Sequence, residues 1–487
     1  MYLDQILLLA SGVVTLAVGL FVLFTAFVVV PRNRRPSSAT AWIIIIVFVP
    51  VVGVVAFFLI GSPQLPLSRR VKQRNVDRLI NERTREYGLG EQDAPGPGWL
   101  APVVRLNQNI GALPMLHGNS AVIETGYEES LLAIAADIDT ARTTVAVEFY
   151  ILAHDTTTAP VFDAMERAVG RGVAVRVLLD HIGSWGSPGY RQTLARMDAA
   201  GVQWRLMLPV QPLKGRYQRP DLRNHRKLVV VDSRLAWAGS QNLVDRSYNK
   251  RSNRRRGLQW QDLMVRLHGP VVQGLEALFA TDWFSETDEL LQVGAPEPAE
   301  EPHGDLSIQV VPSGPGFVTE NNLHLFNALL YGAQDRVSIT SPYFVPDESL
   351  LYAVTAAGLR GVDVELFVPA QADQFLVHHA QRSYYEQLLR AGVRIYLYPP
   401  PFVLHAKHMS VDSDISAVGS SNLDIRSFTL DLEATLLVHG SSFSSQLHRV
   451  EDGYRAVSRE LLLSDWLARP RHQQIVDNLA RLTSALQ

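Results

Sequence analysis

The chain has no cysteine in its 487 residues. That excludes disulfides and thiolate metal sites and makes the protein indifferent to the redox state of its surroundings. Lysine is almost missing too: of 45 basic residues only Lys72, Lys214, Lys227, Lys250 and Lys407 are lysines, and the rest are arginines. Nor is there an excess of charge of either sign. A net charge of −3 gives no global attraction to nucleic acid, whose binders usually carry a basic surplus, so no nucleic-acid partner is expected. The length is enough for about three units, each able to bury a core.

Charge is missing locally as well. Residues 5–31 carry none, and neither do residues 36–68, whose most apolar stretch runs from Trp42 to Ile60. A bilayer core needs about 20 apolar residues as helix, so both runs qualify. The first is too long for the apolar core of a signal peptide and lacks a basic start and a cleavage site. Two retained transmembrane helices are therefore expected within 1–67, joined by a tight loop near 31–40, giving a multi-pass cell-membrane protein. Arg32, Arg34 and Arg35 lie in that loop, and Arg69, Arg70, Lys72 and Arg74 follow the second run. The positive-inside rule then leans towards a cytoplasmic catalytic part. A charged helix is expected over 68–88 in a juxtamembrane stretch (68–99) that breaks at Ala94-Pro95-Gly96-Pro97-Gly98. The Pro/Glu-rich segment at 294–302 reads as a solvated connector. It separates two expected globular domains, 100–290 and 305–487.

Against this background one pattern stands out. His-x-Lys-x4-Asp occurs at His225, Lys227 and Asp232, and again at His405, Lys407 and Asp412. Each copy is followed by Gly-Ser-x-Asn, with Ser240 and Asn242 in the first and Ser420 and Asn422 in the second. A lysine-poor chain has kept lysine at two equivalent places. The surroundings repeat as well. The β-branched, aromatic-ended stretch from Thr144 to Ile151 resembles that from Arg336 to Val345, Arg171-Gly172-Val173 matches Arg360-Gly361-Val362, and Ala200-Gly201-Val202 matches Ala391-Gly392-Val393. Each glycine pair reads as a helix C-terminus followed by a new strand. The order strand–helix–strand–helix–strand in each half argues for two pseudo-symmetric α/β/α sandwiches.

On an extended strand, residues two apart share a face, so each His and Lys of the motif point the same way. A lysine is a compact charge suited to phosphate oxygens, and Ser240, Asn242, Ser420 and Asn422 would add donors to it. One half alone would be a phosphate-binding patch. Two halves facing each other put two histidines on opposite sides of one phosphorus. That suits double displacement through a covalent phosphohistidine, with the cations making a metal ion or other cofactor unnecessary. A single His-x-Lys is most often a surface pair, but duplication with the same trailer argues against that reading. Asp232 and Asp412 belong to the motif, yet a strand-terminal Asp is commonly a turn former. His405 and His408 would face opposite sides of a strand rather than share a metal, and His378-His379 reads as loop or helix surface.

These motifs resemble those of the phospholipase D superfamily over about 100–487. Within it the chain is similar to the bacterial cardiolipin synthases over nearly its whole length. The narrower likeness rests on the paired apolar runs, Arg34-Arg35-Pro36-Ser37-Ser38-Ala39-Thr40-Ala41-Trp42, Asn224-His225-Arg226-Lys227, Ser313-Gly314-Pro315, Ser341-Pro342-Tyr343-Phe344-Val345-Pro346 and Asn422-Leu423-Asp424-Ile425-Arg426-Ser427-Phe428. The resemblance implies the condensation of two phosphatidylglycerol molecules into cardiolipin plus glycerol. It implies His225 as nucleophile, His405 as general acid/base, and a carboxylate downstream of each motif, Asp262 and Glu433, that orients the motif histidine. The chain departs from the family at Asp431, where Asn is usual, and at Gly239-Ser240, where Gly-Gly is frequent. Six cations follow the first motif: Arg246, Lys250, Arg251, Arg254, Arg255 and Arg256. They suit anionic membrane lipids or could be a solvated loop. Hydrolysis to phosphatidic acid by a phospholipase D is the competing reading, followed by a membrane-tethered nuclease and a non-enzymatic scaffold.

Overall fold

The computed structural model describes residues 2–32, 36–61, 65–67, 69–73, 96–214, 216–294 and 304–482. Arg34, Arg35, most of the charged helix expected over 68–88, and the connector at 295–302 lie outside the described residues. The chain divides into two compact units, Met1–Gln64 and Leu65–Gln487.

The first unit is helical. Tyr2–Phe24 continues into a π-helical turn at Thr25–Val29, and within it the 19-residue stretch Ser11–Val29 is long and apolar enough to cross a membrane. The second apolar run differs from expectation. It forms two shorter helices, Pro36–Phe48 and Pro50–Ile60, with Val49 between them out of helical geometry (φ −136°, ψ 69°). Pro50 is the cause, because it has no N–H to donate and its ring would clash with the carbonyl four residues back. Gly53 permits the two helices to touch, since a Cβ there would lie 2.8 Å from Ile46 Cα. Among the described residues, one helix of spanning length is present rather than two.

The second unit is built on one mixed sheet running through both sequence repeats. In the first repeat the strands lie in the order Gln203–Met207, Ala174–Asp180, Thr144–Phe149, Lys227–Val231, Leu235–Gly239, Met264–His268, Met115–Glu124. The second repeats it strand for strand: Arg394–Tyr398, Asp363–Pro369, Arg336–Thr340, His408–Val411, Ile415–Gly419, Asp431–His439, Leu306–Ser313. The two series join where Met115–Glu124 pairs antiparallel with Leu306–Ser313. The second repeat gains a capping edge strand, Arg459–Leu461, which pairs with Arg394–Tyr398. Gly172, Gly361, Gly201 and Gly392 all have positive φ (85°, 92°, 73°, 88°) after helices, as their sequence context predicts.

Strand alternation places the core on both faces. Val229 and Val231 enter a core belonging to the first repeat, while Leu228 and Val230 enter one shared by both repeats. The shared core is covered by the helices Val271–Thr287 and Ser441–Val457. The repeats thus form α/β/α sandwiches, as expected, and one continuous sheet joins them. Leu100, Val103 and Val104, expected to open the first domain, pack into the second repeat's core.

Candidate active site

Two short strands bring the motif histidines to the centre, and each is paired with the other repeat. Arg223–Asn224 lies parallel to the start of Asp431–His439, and the His225 N–H donates to the Leu432 carbonyl at 2.8 Å. Phe402–Leu404 lies parallel to Gln259–Gln261, and the His405 N–H donates to the Gln261 carbonyl at 2.7 Å. Each histidine is thus the first residue past a strand anchored across the pseudo-twofold.

The imidazoles are crossed in the same way. His225 Nδ1 is 2.9 Å from Glu433 Oε1, and His405 Nδ1 is 2.7 Å from Asp262 Oδ1. The sequence marked both carboxylates, but the carboxylate after one motif serves the histidine of the other. An Nδ1–H donated to a carboxylate fixes the tautomer and leaves Nε2 with a free lone pair. Ser240 and Ser420, expected to reach phosphate, instead donate their hydroxyls to Asp262 (2.7 Å) and Glu433. Asn242 is engaged at both ends of its amide: its Oδ1 accepts from the Ile151 N–H at 3.1 Å, and its Nδ2 donates to the Tyr248 hydroxyl at 2.8 Å. Asn422 Oδ1 is buried and makes no hydrogen bond. Ser240, Ser420 and Asn242 thus already have protein partners.

Lys227 and Lys407 each donate to the carbonyl of their own motif histidine, at 2.5 and 2.6 Å, and Lys407 Nζ lies 3.1 Å from His405 Nε2. Both are buried. Burial pushes the Lys227 ammonium down to about 7 and that of Lys407 to about 8, partly offset by Glu433 and Asp262 respectively. The edges of two tyrosines confine the histidines: Tyr150 stands 5.0 Å from the His225 ring and Tyr248 6.4 Å from the His405 ring. Sequence reading missed both, although Tyr150 ends the repeated strand pattern.

The two histidine–carboxylate pairs are not electrostatically alike. Burial, reinforced by Lys227, Lys407 and His405, drives His225 well below the usual imidazole range. Its partner Glu433 is driven well above the usual carboxylate range by burial, with Lys227 opposing and Asp431 adding to the rise. Both members of that pair therefore favour the neutral form. His405 is also lowered by burial, but Asp262 opposes the shift. Asp262 itself stays below its ordinary value: His405, Lys407 and Ser240 outweigh the burial that would raise it. An ionised carboxylate thus stands behind His405 and can stabilise an imidazolium there.

Asp232 and Asp412 do not join this centre. Each lies at the far end of its motif strand, and the five residue steps from Lys227 to Asp232 span about 17 Å. Asp232, with φ 52°, accepts the backbone N–H groups of Arg142, Thr143 and Thr144, and Asp412, also with φ 52°, accepts those of Gln334, Asp335 and Arg336. They hold the neighbouring strand's entrance, the turn-forming role weighed against a catalytic one for these two motif positions.

Close to His225 lies a carboxylate the motif does not include. Asp431, two residues before Glu433 on the same strand face, is buried, with Oδ2 3.3 Å from Arg426 Nε and Oδ1 without a hydrogen bond. Burial raises it to about 7 against the pull of Arg426. The basic cluster splits. Arg246 is partly covered, over the rings of Tyr127 and Phe402. Lys250, Arg251, Arg254, Arg255 and Arg256 are exposed on or beside the short helix Arg251–Arg256.

The family described as "Cardiolipin synthase, PLD-like domain" matches residues 134–283 and 327–452, and "Phospholipase_D-nuclease N-terminal" matches residues 20–62. Cardiolipin synthase A of Proteus mirabilis is 35% identical over 467 residues, covering 93% of this chain and 94% of that protein. Cardiolipin synthase A of Klebsiella pneumoniae (strain 342) is 35% identical over 471 residues with the same coverage. In fold, the chain is similar to the crystal structure of phosphatidylserine synthase from Haemophilus influenzae, with a TM-score of 0.59 at 14% identity, over 79% of this chain and 100% of that one.

Proposed function

The chain belongs to the cardiolipin synthase family of phospholipase-D-like proteins, and from that membership and the crossed histidine centre we propose how it works as a phosphatidyltransferase. It is an enzyme of phospholipid metabolism, associated with membrane. Its substrate is phosphatidylglycerol, and its products are cardiolipin and glycerol. His225 Nε2 attacks the phosphorus of one phosphatidylglycerol, and the bond from phosphorus to the headgroup glycerol oxygen breaks. His405, charged by proton uptake as the anionic diester enters, donates a proton to that oxygen, and glycerol leaves. His405, now neutral, takes the proton from the free hydroxyl of a second phosphatidylglycerol. The oxygen forms a bond to phosphorus as the bond to His225 breaks, and cardiolipin is released. Lys227 and Lys407 hold the phosphoryl oxygens throughout. Arrival of the phosphate counteracts the desolvation that depresses both ammonium groups.

The roles follow from the asymmetry of the two pairs. A nucleophile must be neutral, and His225 is the more strongly depressed imidazole; a proton donor needs an anion behind it, and Asp262 supplies one for His405. Topology belongs to the same proposal: a multi-pass anchor within 1–67, the domains at 100–290 and 305–487 on the cytoplasmic side, and the exposed cations of Lys250–Arg256 on anionic headgroups. Incubating the protein with phosphatidylglycerol alone tests the reaction. Equimolar cardiolipin and glycerol are expected, whereas phosphatidic acid as main product would replace the transferase with a hydrolase.

A further inference from the structure

The helices Phe375–Arg382 and Arg471–Arg481 pack against each other with their chemistry reversed. Between them lies Asp477, fully buried, its Oδ1 2.6 Å from His379 Nδ1 and 3.3 Å from Arg382 Nε, and its Oδ2 3.7 Å from Arg469 Nε. The ring of Trp466 is covered by Arg469 at 3.9 Å and Arg382 at 4.8 Å. His379, expected to be plain surface, is therefore part of a polar clamp. The large apolar side chains point outwards: Phe375 is 68% exposed, Leu376 51%, Ile475 59%, Leu479 59% and Leu482 80%. Ile475, Leu479 and Leu482 recur at i, i+4 and i+7, one stripe on one face. In water this ordering wastes the hydrophobic effect, and a contiguous exposed apolar patch marks a contact surface.

Its place decides the occupant. The loop leading into Phe375–Arg382 reaches the active centre: Tyr343 donates its hydroxyl to Asp373 Oδ1 at 2.8 Å, and Asp373 is among the charges that raise Lys407. From the other side, Arg256 donates to the Ala372 carbonyl at 3.3 Å, joining the exposed arginines of Arg251–Arg256 to the foot of the same helix. Apolar groups set among surplus exposed cations, beside a site that works on lipid phosphate, match an anionic bilayer surface in both hydrophobicity and sign. We infer that the paired helices Phe375–Arg382 and Arg471–Arg481, with the adjoining Arg251–Arg256 helix, form an interfacial membrane-docking surface at the mouth of the active site. It is separate from the N-terminal anchor and seats the catalytic unit on anionic lipid. The inference rests on the phospholipid substrate proposed above.

A chain without cysteine makes the test clean. Phe375→Cys and Leu479→Cys, and Leu132→Cys as an exposed control in the first repeat, are made in the full-length protein. Each is labelled with a polarity-sensitive fluorophore and reconstituted in phosphatidylglycerol vesicles carrying nitroxide-labelled lipids. Quenching at 375 and 479 severalfold stronger than at 132 is expected, falling when phosphatidylcholine replaces phosphatidylglycerol. Water-like emission at all three positions, or quenching that depends on protein concentration instead of nitroxide lipid (a second copy covering the ridge), would overturn the inference. Leu479→Asp provides a second reading. The rate on phosphatidylglycerol bilayers should fall severalfold and the rate on monomeric short-chain phosphatidylglycerol should hold; an equal fall on both substrates sinks the idea. The labels report docking even if no cardiolipin forms, so a failure of the reaction is told apart from a failure of the surface.

Discussion

The two repeats share a strand order and a motif, yet they surround their histidines differently. Beneath His225 runs a buried polar network. Arg226 pairs with Asp282 and donates its Nε–H to the Glu433 carbonyl at 3.2 Å, while Asn224 donates to Glu148 Oε1 at 2.8 Å. At the matching places of the second repeat stand Ala406, Leu404 and Thr340, as the strand registers show. The carboxylates differ as well, with Asp262 below its usual range and Glu433 far above it. Duplication supplied two equivalent histidines, and their unequal surroundings are what the proposed division into nucleophile and proton carrier rests on.

The largest effect that can break this contrast is on the covalent intermediate. His225→Ala should abolish it and lower turnover by at least about 10^4-fold. His405→Ala should slow turnover by about 10^2–10^4-fold while still letting His225 accumulate label. Rapid quench with phosphorus-labelled phosphatidylglycerol and peptide mapping reads both, and label on His405 alone would reverse the roles. Next come the crossed carboxylates. Asp262→Asn should reproduce the His405 defect and Glu433→Gln the His225 defect, each by about 10^2-fold, the scale of losing an orienting partner. In double-mutant cycles Asp262 should couple to His405 and not to His225; the opposite pattern would refute the crossing.

The pH profile sharpens the comparison further. In their proposed role as phosphate holders Lys227 and Lys407 must be charged, and their folded values of about 7 and about 8 lie below the ordinary lysine value. In the free enzyme kcat/KM should therefore fall as pH rises through 7 to 8. The limb in kcat should lie higher, because bound phosphate favours the charged lysines. His225, depressed well below its usual range, adds no loss until the pH is acid. Asp431→Asn removes a carboxyl that titrates near 7, so it should flatten part of this profile with little change at the optimum. The smallest catalytic effect belongs to Asp232→Ala and Asp412→Ala. Each leaves backbone N–H groups without an acceptor and should cost about 1–3 kcal/mol of stability, read as a lower Tm, with kcat nearly intact.

The histidines, the lysines and the repeat that unites them were legible because they are patterns of residue type and spacing. The α/β alternation was legible too, since Gly172, Gly201, Gly361 and Gly392 mark helix ends in the sequence itself. What could not be read was partnership across the pseudo-twofold. His225 and Glu433 are 208 residues apart, and nothing local distinguishes crossed from uncrossed pairing. That the Ser240 and Ser420 hydroxyls face Asp262 and Glu433 was hidden for a related reason: a donor type is visible in sequence, but its acceptor is a matter of folding. Asp232 and Asp412 recur with the motif because both hairpins need the same brace, as their place at a strand end suggests. In the membrane unit the hydropathy of residues 42–60 was plain, but Pro50 set the local outcome.

The crossed pairing also sets an order of events during synthesis. His225 lacks its carboxylate until Glu433 has been made, and at about 5–20 residues per second those 208 residues take about 10–40 s. Until then the chain on the ribosome carries the first motif without the carboxylate that meets its histidine. The pairing that fixes the His225 imidazole therefore acts as a timer, since it cannot form until the second repeat has been made.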